Sequence, residues 1–216
     1  MKTDNYRIYC SQLEEVLIKY PNLSIVEKGG MRILKGILDI PNDEKYIIGS
    51  YLIEIHFTNG FPFRFPKLFE KGEAIINHID WHKFSDDSCC ITVLPDEILK
   101  CKAGISVLEF IEKYCFSFLA NHIYRKVEGK YINGEYGHGR DGISEFYSDL
   151  FKTTDTKLWK EYFHHVFKQA VFSTSRNDFC FCGSNSKYKK CHKIIFDTMR
   201  DIGEFQIFND FKLIIL

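Results

Sequence analysis

The spacing of apolar residues changes several times along this chain, and the changes divide it into elements. Over residues 5 to 19, Tyr6, Tyr9, Cys10, Leu13, Val16 and Leu17 recur at helical spacing, and Pro21 stops the run. Strand-like runs follow at Leu23 to Glu27 and Met31 to Ile40, with Gly29-Gly30 as the turn between them. A third run, Tyr46 to Phe57, is rich in β-branched and aromatic residues. Two prolines then force an extended path through Phe61-Pro62-Phe63-Arg64-Phe65-Pro66, because proline fixes its own φ and restricts the residue before it. Leu68-Phe69 reads as a short fourth strand. Periodicity fades from Glu73 to Leu99, and a long irregular stretch inside a domain is usually functional. After Gly104, a buried helical face is marked by Ile105, Leu108, Ile111, Cys115, Phe118 and Leu119. Helical patterns return over 141 to 151 and 156 to 171. Residues 176 to 193 form a polar, cysteine-rich unit, and the apolar tail, Phe205 to Leu216, is expected to dock as a strand or helix. This order predicts an α+β fold, with helices packed on an antiparallel meander sheet.

Composition narrows the function classes. The chain has 216 residues, which suits one α/β domain with a small appendage or two small domains. Lysine plus arginine equals aspartate plus glutamate at 29 each, so no global charge draws the chain toward nucleic acid or an anionic membrane. The N-terminus lacks the apolar core of a signal peptide, and no run approaches the roughly 20 apolar residues of a membrane helix. A cytoplasmic location is expected. There, eight cysteines are thiols, metal ligands or nucleophiles more often than a disulfide framework.

The irregular segment holds Asp80-Trp81-His82 and then Cys89-Cys90-Ile91-Thr92-Val93-Leu94. A thiolate is a strong nucleophile. In an extended stretch Cys89 and Cys90 point to opposite faces, so one can be exposed while the other is buried. Both can equally be small buried residues, as cysteines often are. Cys101 is either a second thiol facing this segment or packing, while Cys10 and Cys115 fall on apolar helical faces and read as core. Asp86 and Asp87 read as a solvated turn, or as groups that orient an incoming amine. His56, His164 and His165 suit structural roles. Five glycines lie between Gly129 and Ile143, which implies tight turns, but the stretch matches no phosphate-binding fingerprint.

These motifs, with Phe61 to Pro66 upstream and Ala103-Gly104-Ile105-Ser106-Val107 downstream, resemble the ubiquitin-conjugating enzymes over roughly residues 5 to 120. Asp80 to Cys90 keeps that family's spacing from its histidine-proline-asparagine motif to its catalytic cysteine. The resemblance implies a domain over 1 to 172 with a helical extension, and Cys90 as an acyl carrier. It places His82 where the family has an asparagine that positions the loop or stabilises the oxyanion. It further implies a cis bond before Pro66 and a supporting role for His138. The implied activity is acyl transfer from a thioester on Cys90 to an amine. The implied partner is a protein acyl donor, either a ubiquitin-like protein or, as in antiphage operons, a cGAS-like nucleotidyltransferase. No adenylation domain is evident, so a separate activating enzyme or a pre-activated substrate is expected. The alternative is a catalytically inactive binding or adaptor module of the same fold.

Residues 180 to 192 carry a different chemistry, with Cys180, Cys182, Cys191 and His192 spaced as C-x-C-x8-C-H. Three thiolates and an imidazole make a closed tetrahedral site suited to structural zinc, and so short a segment needs metal to hold it. The segment resembles the SEC-C motif, except that Phe179 and Phe181 stand where proline is common. It sets a second module at 173 to 216. Lys187, Lys189, Lys190 and Lys193 would decorate the knuckle with charge suited to an acidic or protein partner. Nucleic acid is weakly supported.

Overall fold

The computed structural model describes residues 3–131, 136–168 and 174–216. They form two compact units, Met1–Thr92 with Cys101–Glu135, and Val93–Lys100 with Tyr136–Leu216.

The first unit is α+β. Helices α1 (Asp4–Ser11) and α2 (Leu13–Lys19) precede strands β1 (Leu23–Lys28), β2 (Met31–Pro41), β3 (Ile47–His56) and β4 (Lys67–Glu70). The strands form one antiparallel sheet in the order β1-β2-β3-β4. Gly29 and Gly30 turn β1 into β2 with φ of 58° and 74°, the left-handed pair that a type I′ hairpin turn requires. Gly36 admits the chain at Asn22, whose carbonyl oxygen would lie 2.1 Å from any Cβ there. The inward positions of β2 and β3 include Leu34, Leu38, Tyr51, Ile53 and Ile55. They pack against Tyr9, Leu13 and Val16 of the N-terminal helices and against Phe110, Ile111 and Leu119. The last three lie on one helical run, α4 (Val107–Glu109), a π turn at Phe110–Cys115, and α5 (Phe116–Glu128).

Several expectations need correction. The single helix expected over 5 to 19 breaks at Gln12, whose side-chain oxygen accepts the N–H of Val107 at 2.8 Å. The cis bond precedes Pro62 and not Pro66. There Gly60 and Phe63 close a turn at 2.9 Å with proline in the third position, a place that favours the cis isomer. The stretch to Leu99 is not irregular throughout, since α3 spans Leu94–Cys101. Two helical turns are too short for periodicity to announce, but Pro95 and Asp96 at the start and Lys100 at the end were legible end signals.

The second unit is helical. It contains α6 (Gly139–Phe151), α7 (Thr156–Phe167), α8 (Lys193–Ile202) and α9 (Glu204–Ile215). Its own core includes Phe146, Tyr147, Phe163, Phe196, Met199 and Ile207. Helices α6 and α7, read from sequence as an extension of the first domain, pack here with α8 and α9. The boundary expected at 172/173, the end of the helix expected to 171, and residues 132–135 of the glycine-rich stretch lie outside the described residues. Among the described residues, no helix is long and apolar enough to cross a membrane.

Candidate thiol site and metal centre

The cysteine segment returns to the free edge of β4. Phe69 bridges to Ser88, and the Cys89 N–H donates to the Leu68 carbonyl at 2.8 Å. The span between is fixed from inside by a buried ion pair, Lys83 Nζ to Glu70 Oε2 at 2.8 Å. Glu70 also accepts the backbone N–H groups of Gly72, Ala74 and Ile75, so its carboxylate organises the start of the loop. Asp86 and Asp87 hold its far turn. The Ser88 hydroxyl, aided by the Ser88 N–H and Lys67, outweighs desolvation and holds the Asp86 carboxyl down at about 2. Asp87 accepts from Lys71 at 2.7 Å and from Asn77 at 3.0 Å.

Extended backbone then separates the two thiols. Cys89 is buried, and burial pushes its thiol up to about 12. A thiol that far from ionising is no nucleophile at neutral pH. Cys90 points the other way and is partly exposed. Its N–H donates to the His82 carbonyl at 2.8 Å, and its Sγ lies 3.9 Å from the Thr92 carbonyl. A ring nitrogen of His82 and Cys90 Sγ lie within 4.8 Å of each other. His82 closes the 3₁₀ turn Ile79–Trp81 with a left-handed backbone, φ 49°, and its side chain is buried. Cys101 and Cys115 are fully buried, while Cys10 is half-buried. His138 belongs to the second unit, at the N-cap position of α6. His56 bonds to Glu54 at 2.9 Å, and His165 packs on Phe181 at 4.3 Å.

Three residues that sequence reasoning passed over stand beside His82. His122 on α5 is fully buried, and burial, with His82 and Arg125 nearby, lowers it to about 3, so its ring is neutral. Among the described residues its Nε2 has no hydrogen-bond partner. Tyr131 meets the His82 ring edge-on at 5.5 Å, and its hydroxyl lies 3.3 Å from His122 Nδ1. The guanidinium of Arg125 lies over the Trp81 ring at 4.1 Å. His122 and Arg125 are one helical turn apart, so the sequence placed them on one face. Nothing in it said that this face meets the Trp81 turn.

The second site is local to the C-terminal segment. A bridge between Phe179 and Lys187 and a 3₁₀ turn at Tyr188–Lys190 fold the chain back on itself. This brings Cys180, Cys182, Cys191 and His192 together, with all four ligand atoms within 4.8 Å of one another. Cys180 Sγ lies 3.3 Å from His192 Nδ1, Cys191 Sγ 3.1 Å from the same nitrogen, and Cys182 Sγ 3.6 Å from Cys191 Sγ. A tetrahedral ion with thiolate and imidazole ligands has edges of roughly 3.4–3.8 Å. The cluster therefore fits one ion and needs only small adjustments. These contacts make better sense as a ligand set than as separate sulfur hydrogen bonds, because the three pairs join all four residues in one group.

Polar groups around the cluster fit the same role. His192 Nε2 lies 2.9 Å from the Tyr162 hydroxyl; with Nε2–H donating to that oxygen, Nδ1 faces the thiols with a free lone pair for a metal. The Ser184 hydroxyl, 3.2 Å from Cys182, is the main cause that draws that thiol down to about 7. Burial pushes Cys180 up to about 11, so metal binding there must displace a proton. Phe181 packs on Phe196 and Tyr188 under the cluster.

Comparison with known proteins matches one local feature. Residues 176–193 match the SEC-C motif, a zinc-binding type, and they contain all four residues of the cluster. Searches of curated proteins and of solved structures return no match.

Proposed function

We propose that this protein is a cysteine-dependent acyl carrier of the ubiquitin-conjugating type, with Cys90 as its nucleophile and structural zinc held by Cys180, Cys182, Cys191 and His192. The observation that carries the reading is the pairing of a partly exposed Cys90 with His82 within 4.8 Å, while neighbouring Cys89 is buried. The motif resemblance over residues 61–66, 80–82 and 89–94 adds to it.

In the proposed reaction the Cys90 sulfur attacks the carbonyl of a donor thioester. A new C–S bond forms, the donor C–S bond breaks, and the donor thiol leaves with the proton that Cys90 gives up. An acceptor amine then attacks the Cys90 thioester, and Cys90 is released as the thiol. One thioester replaces another in the first step, so strong activation of the resting thiol is not required. An N–H of the His82 ring can donate to the oxyanion of either tetrahedral intermediate. The donor is proposed to be a protein, either a ubiquitin-like protein or a nucleotidyltransferase bearing an activated C-terminus.

The test is direct acylation. The full chain incubated with an N-acetylglycine thioester of mercaptoethanesulfonate should gain an acyl group on Cys90 that dithiothreitol removes. Cys90→Ala should abolish the adduct, and Cys90→Ser should leave an oxyester that resists the reductant. Cys89→Ala and Cys101→Ala should retain most of the acylation, because both thiols are buried. An intact wild-type chain that is never acylated at Cys90 would reduce the protein to a binding module. The replacement of the family asparagine by His82 is the feature that favours that second reading.

A further inference from the structure

We propose that Arg125 is a positioning residue for acyl transfer at Cys90, acting through the Asp80–His82 turn. This rests on the proposed role of Cys90. His82 sits at the end of a three-residue 3₁₀ turn, in a left-handed conformation that is uncommon for a residue other than glycine. Within that turn, Trp81 N–H donates to the His78 carbonyl and His82 N–H to the Ile79 carbonyl. The carbonyl of Asp80 points out of the turn instead, where Arg125 Nη1 donates to it.

The same guanidinium makes three further contacts. It lies over Trp81 at 4.1 Å and over the ring of Tyr131 at 4.5 Å, and its Nη1 donates to the Tyr131 hydroxyl at 2.7 Å. Tyr131 in turn meets the His82 ring at 5.5 Å. One rigid planar cation thus fixes the backbone before His82, the side chain before it, and the ring against which its imidazole packs. Its anchor is α5, whose inner face is built into the core by Phe118, Leu119 and His122. His122 supports the arrangement from below, stacked with Trp81 at 6.2 Å. The link to Cys90 runs through His82, whose carbonyl receives the Cys90 N–H and whose ring nitrogen lies within 4.8 Å of Cys90 Sγ.

A guanidinium suits this place and an ammonium does not. Stacking between two rings while donating to a carbonyl and a hydroxyl uses the planarity and the fork together. A lysine retains the charge and loses the geometry. The test therefore compares Arg125→Lys with wild type in the full chain, using two probes that react with Cys90 differently. The acetylglycine thioester forms an oxyanion that His82 must meet, whereas iodoacetamide alkylates the sulfur without one. Arg125→Lys should slow acylation about tenfold, since small misplacements near a reacting centre cost up to a hundredfold, and should leave the alkylation rate within about twofold. Tyr131→Phe, which removes one acceptor and keeps the ring, should slow acylation about threefold.

A merely structural role would free the loop, expose the thiol and raise alkylation. The proposal is overturned if Arg125→Lys acylates at the wild-type rate, or if both reactions change together. Should the wild-type chain resist acylation altogether, the conjugating reading fails separately. His82 ring resonances then decide the positioning claim. A displaced His82 signal in Arg125→Lys supports it, and an unmoved signal overturns it.

Discussion

Tyr162 stands where a single hydroxyl can orient one member of the cysteine–histidine cluster. Its contact with His192 Nε2 at 2.9 Å leaves Nδ1 to face Cys180 and Cys191. The partner of the outer ring nitrogen sets which nitrogen can bind metal, and losing such a partner typically weakens metal binding ten- to a hundredfold. Tyr162→Phe should therefore bind zinc about tenfold more weakly in a chelator competition, with the fold retained. Cys191→Ser should lose the ion outright in metal analysis of the purified chain. Full zinc content in Cys191→Ser would show that these four residues are not the ligand set. The sequence displayed the ligands, because all four fall within a short stretch whose spacing is itself the signal. It hid Tyr162, which reaches the site from a separate helix. Cys90 and Cys89 make the complementary case. Their identity was legible and so was the opposition of their side chains, but which one faced the core depended on how the segment returned to β4.

At the scale of elements, the loop after β4 is ordered by charge as well as by apolar packing. Glu70 and Lys83 have side chains 0% and 2% exposed, so neither charge can turn to water if its partner is removed. Removing one member of a buried pair typically costs about 3–5 kcal/mol, because the survivor stays desolvated. The two members should not be equivalent here. Lys83→Met leaves a carboxylate that still accepts three backbone N–H groups, whereas Glu70→Ala strands those three donors and leaves the Lys83 ammonium with the Ile75 carbonyl at 3.3 Å and Asp87 at 3.8 Å. Urea denaturation should rank Glu70→Ala as the more destabilised variant. Equal losses would mean that the backbone bonds contribute little to the loop. Acylation of Cys90 should fall in both variants, since Cys89 and Cys90 are held by the ladder that this loop completes. Neither residue stood out in the sequence, where each was one charge among many. A buried pair can be recognised only when the elements carrying it have met.

For the whole molecule, two separate cores mean two folding units, each stabilised by its own burial. Heat should therefore unfold the chain in two calorimetric steps, outside the two-state description. Removing metal with phenanthroline should lower one step and leave the other in place, because the ligands lie wholly within the second unit. A uniform shift of both steps would show that the units do not unfold independently. The local sequence determined the four strands to within one residue at each end, since glycines and prolines bound runs rich in β-branched and aromatic residues. It determined the class of fold and the metal cluster for the same reason, that the information is local. Short α3, the break at Gln12, the grouping of α6 and α7 with the metal unit, and the gathering of Arg125, His122 and Tyr131 beside His82 were decided by tertiary structure. Those depend on which surfaces meet across long stretches of chain, and the energy of such a meeting belongs to no single segment of the sequence.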